Sequence, residues 1–304
     1  MKIHREDLLY RYSQYSVDRN INSINVLQAL KSEIECCDNF IFSSTENEIR
    51  FFFKKELWES QYFMLPSIKL IFIDYTKFIR KDFQEALFQF VNHIRDSFGN
   101  NSIITIEIPA EDIRVLQALN DSRFRTIETR LHFVNNSLDK FSWERFQVRE
   151  ASTDDIPNLK RVASYMRNDF DRFHSDWSFN IDKADNYLST YVENSIKGFT
   201  DLVIVPNQQN VPPDSFLTAN YLKSDWDKLD YKISKMVLSA VSSDTNKGWY
   251  IKLISEMTFI LKEIGAKSVF MNTQATNIAV LVTWEKLGYR LGRTTHILTL
   301  NLND

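Results

Sequence analysis

The chain of 304 residues is short of the residues that break or staple structure: six glycines, six prolines and two cysteines. So little Gly and Pro leaves small scope for linkers or low-complexity tracts. The two cysteines are neighbours, Cys36 and Cys37. They cannot bridge distant parts of a fold, and they supply no metal-ligand set. We therefore expect no bound metal and a reduced, cytoplasmic protein. No run of about 18 apolar residues occurs, so no membrane span is expected. The opening stretch MKIHREDLLYRYSQY is too charged for a signal peptide. Nor is there an excess of positive charge: 37 Lys and Arg stand against 40 Asp and Glu, a net charge of -3. That excludes the basic face or tail of a nucleic-acid binder.

What is present is ordinary globular sequence, 43% hydrophobic and 25% charged, and long enough for two domains. Residues 1–37 hold two helical patterns, marked by Leu8, Leu9 and Tyr12 and by Ile24, Leu27, Leu30 and Ile34. Residues 40–42 and 49–53 read as short strands, and 57–63 as an aromatic, polar cluster without a clean period. Strand 69–75, helix 83–98, strand 103–108, helix 110–119 and strand 124–134 follow. The polar stretch 135–144 marks a boundary, giving domains 1–138 and 145–304. The second domain opens with strand 146–149 and a helix-start sequence at 151–157, where a capping residue, acids and Pro157 fall in order. That helix is expected to reach about 168, with a second at 184–197 and strands at 202–205, 216–221 and 232–241.

The last stretch organises the rest. Strand 235–241 meets a polar turn at 242–247, and Gly248 opens a helix with Ile251, Ile254, Met257, Ile260 and Leu261 at helical spacing. Strand 268–272, a helix from near Asn277, a turn at Leu287-Gly288-Tyr289 and a final strand complete the chain. Strand, turn and helix N-terminus form a ready anion site, because the first helical amides lack partners and the dipole adds positive charge. Moved by 165 residues without a gap, segment 103–108 falls on 268–273, and 113–119 on 278–284. The chain therefore reads as an internal repeat. In the first copy Phe83 stands opposite Gly248. That copy is expected to be degenerate and unable to cradle a pyrophosphate.

Two runs carry a family likeness: Thr245-Asn246-Lys247-Gly248-Trp249-Tyr250, and Asn277 followed by Trp284-Glu285-Lys286-Leu287-Gly288-Tyr289. They resemble the acyl-CoA-binding half of the GNAT superfamily of N-acetyltransferases, whose turn reads Gln/Arg-x-x-Gly-x-Gly/Ala and whose second signature ends Tyr-Glu-Lys-Leu-Gly-Phe. Thr245, Tyr250 and Trp284 depart from those patterns. Arg172-Phe173-His174-Ser175-Asp176-Trp177, Tyr187, Tyr191-Val192-Glu193-Asn194-Ser195 and Lys197-Gly198 resemble the dTDP-fucosamine N-acetyltransferase group, with Tyr191 in place of its Trp. The likeness extends to acyltransferases acting on dTDP-3-amino-3,6-dideoxyhexoses.

The resemblance implies an α/β (α+β) fold of two GNAT-like domains with mixed central sheets flanked by helices. It implies transfer of an acetyl or short acyl group from acyl-CoA to a dTDP-linked aminosugar for surface polysaccharide, with a homodimer as the family expectation. The backbone of Asn246, Lys247, Gly248, Trp249 and Tyr250 would hold the pyrophosphate, with Lys247 or Lys252 adding charge. Met236, Val237, Leu238 and Ser239 would pair with the pantetheine arm, and Asn277 and Trp284 would contact CoA. Asn277 is equally a good helix cap. Indole N–H donates a hydrogen bond but is no useful acid, so Tyr250 and Thr283 become candidate donors to the leaving thiolate. His174 suits proton transfer near neutral pH, with Asp176 as the rival base; a hydrogen-bonded structural histidine is the alternative. Arg172, His174, Phe173 and Trp177 would contact the nucleotide sugar, and Trp58 and Phe63 would help close over it. As alternatives, these aromatics are core, the acceptor is another amine, or the chain senses CoA without catalysis.

Overall fold

The structure, a computed structural model, describes residues 2–303. The chain divides into two compact units, Met1–Arg130 with Arg293–Asp304, and Leu131–Gly292.

In unit 1, helices α1 (Glu6–Tyr12) and α2 (Ser23–Glu35) precede strands β1 (Asp38–Ser43) and β2 (Glu48–Lys55), helix α3 (Leu57–Phe63), strand β3 (Ser67–Tyr75), helix α4 (Arg80–Phe98), strand β4 (Ile103–Pro109) and helix α5 (Ile113–Asp121). β5 (Arg125–Asn135) begins in this unit and ends in the next. Both faces of the sheet are covered, so its strands are apolar on both sides. Along β2, Phe51 and Phe53 enter one core with Phe83, Phe90 and Leu119, while Phe52 enters another with Leu9, Leu30 and Phe72. The 57–63 cluster, read above without a period, is the short helix α3. Its Phe63 is buried, and Met64 ends it in the left-handed conformation.

Unit 2 repeats the plan: β6 (Val148–Glu150), α6 (Ile156–Tyr165), α7 (Ile181–Asn194), β7 (Leu202–Pro206), β8 (Ser215–Asn220), α8 (Lys223–Leu229), β9 (Ile233–Val241), α9 (Trp249–Glu263), β10 (Ser268–Gln274), α10 (Ile278–Lys286) and the start of β11 (Arg290–Asn301). Ser152 and Asp155 form a reciprocal capping box ahead of α6. α6 stops at Tyr165, short of 168, and α7 starts at Ile181, ahead of 184. Along β7, Leu202 and Ile204 face the α9 and α10 side, and Val203 and Val205 face α6 and α7. Helix α8, the counterpart of α3, was not among the expected elements.

The offset of 165 residues carries β4 onto β10 and α5 onto α10 without remainder, and it makes the ends of α4 and α9 coincide. The last strand departs from a simple tandem. In unit 1, β11 pairs antiparallel with β4 from Thr295↔Pro109 to Asn301↔Ile103, while in unit 2 the second half of β5 lies beside β10. The repeat thus exchanges its final strands. The contact division therefore falls at Arg130 and Arg293, where the sequence reading set domains 1–138 and 145–304. The physical reason is that the edge of β4 needs a ladder partner, and a sequence read in order assigns that partner to the following segment.

Leu298 of β11 is fully buried in the core of unit 1. Leu298→Ala should lower the unfolding free energy by about 2–4 kcal/mol, measured by urea denaturation. A loss below about 0.5 kcal/mol would contradict this strand assignment.

Candidate acyl-CoA site

The site in unit 2 begins where two parallel strands part. β9 and β10 are paired only at Ser268↔Ile233, Val269↔Ser234 and Phe270↔Lys235. β9 then runs on to Val241 against β8, to Ser215↔Val241. Residues 236–241 thus have a strand on one edge only, and their other edge is open toward the diverging end of β10. Between Met236↔Ala219 and Ser239↔Leu217, β9 has two residues against one, a bulge. Within it the Leu238 amide donates to Thr218 Oγ1 at 2.9 Å. An extended thiol arm could complete the ladder along this edge.

Beyond the strand the chain turns into α9. Asn246 is buried and anchors the turn, donating from Nδ2 to the Pro212 carbonyl and to Ser215 Oγ, both at 2.9 Å. Thr245 donates to Asp214 at 3.1 Å. Gly248 has φ +87°, and a side chain there would meet no atom within 4 Å. Its conformation, rather than crowding, calls for glycine. The amides of Asn246 and Trp249 are taken by the Ser242 and Asn246 carbonyls. Those of Lys247, Gly248 and Tyr250 make no backbone hydrogen bond among the described residues. Amides without such bonds at a helix N-terminus, where the dipole adds positive charge, are what an anion site requires. Lys247 is exposed there. Lys252 instead lies over the rings of Trp249 and Phe146, at 4.8 and 4.9 Å. The Trp249 side chain is core, so only its backbone belongs to the turn.

The Tyr250 hydroxyl is hydrogen-bonded to Trp284 Nε1, 2.9 Å away. An indole N–H can only donate, so the phenol oxygen accepts from Trp284 and its own proton points elsewhere. Burial pushes the Tyr250 hydroxyl far above its ordinary pKa. It therefore stays protonated, with an O–H able to donate a hydrogen bond. Trp284 is buried against Phe133. Asn277 stands at the N-terminus of α10 without a side-chain cap bond; its Nδ2 donates to Thr273 Oγ1 at 3.2 Å. The Thr283 hydroxyl is spent on the Ala279 carbonyl at 2.9 Å.

The expected base does not have the geometry for that role. The His174 side chain is only 1% exposed and lies between two carboxylates, with Nδ1 2.8 Å from Asp171 and Nε2 3.0 Å from Asp185. Burial opposes the charged ring, but the hydrogen bonds and charges of Asp171 and Asp185 outweigh it and raise its pKa. With both nitrogens committed, His174 is a clamp for the loop between α6 and α7. Asp176 is buried and accepts from the Ser178 amide at 3.0 Å. Phe173 packs with Phe179 and Tyr187, and Arg172 lies 4.3 Å over the Phe173 ring. Trp177 is 76% exposed. Trp58 and Phe63 belong to unit 1. The loop reaches β10 through Asn168, whose Nδ2 donates to Gln274 Oε1 at 2.7 Å, a pair for which the sequence offered no signal. Asp171 and Asp185 were likewise missed, because only the fold brings Asp185 onto the ring.

The His174 clamp makes a pH prediction. A group whose folded pKa is raised contributes fully below its unfolded value of about 6.5, and the contribution fades as pH rises through the folded value. The loss in melting temperature caused by His174→Asn should thus be larger at about pH 6 than at about pH 9, followed by scanning fluorimetry. A pH-independent difference would refute the charged clamp.

No protein-family model matches the chain, and no curated protein matches it in sequence. Solved structures do match in fold. A GCN5-related N-acetyltransferase from Sphaerobacter thermophilus is similar over 98% of this chain and 92% of its own, with a TM-score of 0.59 and 11% identity. A glucosamine N-acetyltransferase region of a fungal multi-domain GH3 β-N-acetylglucosaminidase matches 98% of this chain and 38% of its own, with a TM-score of 0.59 and 10% identity. A GNAT-family acetyltransferase from Colwellia psychrerythraea matches 88% and 86%, with a TM-score of 0.50 and 12% identity. The chain thus has the mixed α/β fold of the GNAT acetyltransferases, with helices flanking a sheet.

Proposed function

We propose that the protein is an N-acyltransferase that moves an acetyl or short acyl group from acyl-CoA to the amine of a dTDP-linked deoxyamino sugar. The observation that carries the acyl-CoA half is the open edge of β9 leading directly into the glycine turn of α9. One end suits an extended amide-bearing arm, the other a diphosphate. The sugar half rests on the likeness around Arg172 and Trp177 and on Tyr187 to Gly198. An amino-sugar acceptor is also named for the fungal region that shares the fold.

In this reading the arm pairs along 236–239, and a main-chain N–H of this stretch other than that of Leu238, which Thr218 takes, meets the thioester carbonyl, where negative charge develops. The neutral amine attacks that carbon; a C–N bond forms, the C–S bond breaks, and the amine proton leaves to water. The Tyr250 O–H, oriented by Trp284, donates a hydrogen bond to the departing sulfur, which takes its proton from solvent. Holding both substrates in line supplies much of the acceleration.

One observation favours a second reading with a different amine acceptor. Phe173 is spent on the core rather than offered as a shelf for the sugar or thymine. Thermal-shift screening separates the two: stabilisation by dTDP supports the nucleotide sugar, and stabilisation by another amine class alone supports the second.

The primary test is thiol release from acetyl-CoA with dTDP-sugars carrying 3-amino or 4-amino groups. Turnover is expected with one of them. Tyr250→Phe should lower kcat by about ten- to a hundredfold, the cost of one hydrogen bond made in the transition state. Gly248→Asp should weaken acyl-CoA binding through strain and like charge. Bound CoA without transfer to any sugar would overturn the nucleotide-sugar assignment.

A further inference from the structure

Unit 1 contains a second cleft of the same construction, and the chain's own N-terminal segment fills it. β3 and β4 are parallel and paired from Ser67↔Ile103 to Leu70↔Ile106, after which β3 runs on to Tyr75. By the offset of 165, the last paired residue of β3, Leu70, corresponds to Lys235, the last paired residue of β9. The two clefts therefore open at the same point of the repeat.

In unit 1 that opening holds Arg5. Its guanidinium donates to the Ile73 carbonyl at 2.7 Å, on the stretch of β3 that β4 no longer pairs, and to Asp112 Oδ2 at 2.5 Å. It also lies 4.1 Å over the Tyr75 ring. The Asp74 carboxylate accepts from the His4 and Arg5 amides at 3.0 and 3.1 Å and faces His4 Nδ1 at 3.0 Å. Tyr12 Oη donates to Asp112 at 2.7 Å. Asp74 corresponds to Ser239 and Asp112 to Asn277, the two residues that flank the candidate arm path in unit 2. Arg5, Asp74 and Asp112 are 5%, 1% and 2% exposed.

We infer that the first unit's cleft is a closed acyl-CoA cleft with a built-in occupant, residues 3–12, so that each chain binds one acyl-CoA, in unit 2. Three features hold the plug in place. Withdrawing the segment would leave the buried Asp112 without its Arg5 cation and the buried Asp74 without the His4 and Arg5 amides, a costly state. Those carboxylates would repel the polyanionic cofactor. Helix α4 begins at Arg80, a full turn before the counterpart of Trp249, so helix replaces the glycine turn. The inference depends on the proposed function only in naming acyl-CoA as the ligand excluded.

The test combines hydrogen–deuterium exchange of the full chain with calorimetric titration of acetyl-CoA. The His4 and Arg5 amides should stay protected with and without saturating acetyl-CoA, the stoichiometry should be one, and Gly248→Asp should remove that binding without revealing a second site. Arg5→Ala should lower the melting temperature by roughly 5–15 °C, and adding Asp112→Asn should restore part of it. Free exchange of residues 3–12, their release by acetyl-CoA, a stoichiometry of two, or additive effects of the two substitutions would overturn the plug. Failure of the chain to bind acetyl-CoA would refute the proposed function instead, while protection of residues 3–12 and the Arg5–Asp112 coupling still decide the plug.

Discussion

Parallel strands are held together by evenly spaced main-chain hydrogen bonds, and in this protein that ladder stops early. β9 stays with β10 for three residue pairs and then keeps only β8. The parting exposes main-chain donors and acceptors that an ordinary sheet would satisfy internally, and such groups demand partners. The parts of unit 2 that bear on the candidate acyl-CoA site begin from this edge: the bulge at 237–238, the turn closed by Gly248, and the Tyr250 hydroxyl with its Trp284 partner.

Unit 1 meets the same demand differently. Where β3 leaves β4, the chain supplies its own partner, Arg5, and places two aspartates to receive it. Duplication thus yields two equivalent openings whose fates differ by a few residues. A left-handed glycine turn and neutral Ser239 and Asn277 leave one available. An extra helical turn, Asp74, Asp112 and a basic N-terminal segment close the other. The exchanged final strands tie each copy's sheet to the other's sequence, since β4 is completed by β11 rather than by β5.

The residues expected to do chemistry sort by what surrounds them. His174 reads in sequence as a titratable group in a polar loop, yet Asp185, eleven residues on, occupies the nitrogen a base would need. Tyr250 departs in sequence from the Gly/Ala pattern of the turn it resembles, and its hydroxyl is what Trp284 supports. The indole stands on α10, and the phenol comes from the neighbouring helix α9.

The sequence by itself determined the α/β class, nearly every strand and helix, the 165-residue repeat and the glycine turn, because these rest on local periodicity and on a backbone conformation that glycine adopts without strain. It did not disclose α3 and α8, whose seven residues each, about two turns, are too few to show a period. Only the tertiary structure decided which final strand completes which unit, that His174 is clamped rather than poised, and that Arg5 fills the first cleft. The clamp spans eleven positions, from His174 to Asp185, but the other two join residues far apart in the chain, 107 positions from Arg5 to Asp112 and 186 from Pro109 to Thr295. Their energy comes from pairing buried charges and strand edges that no local pattern records.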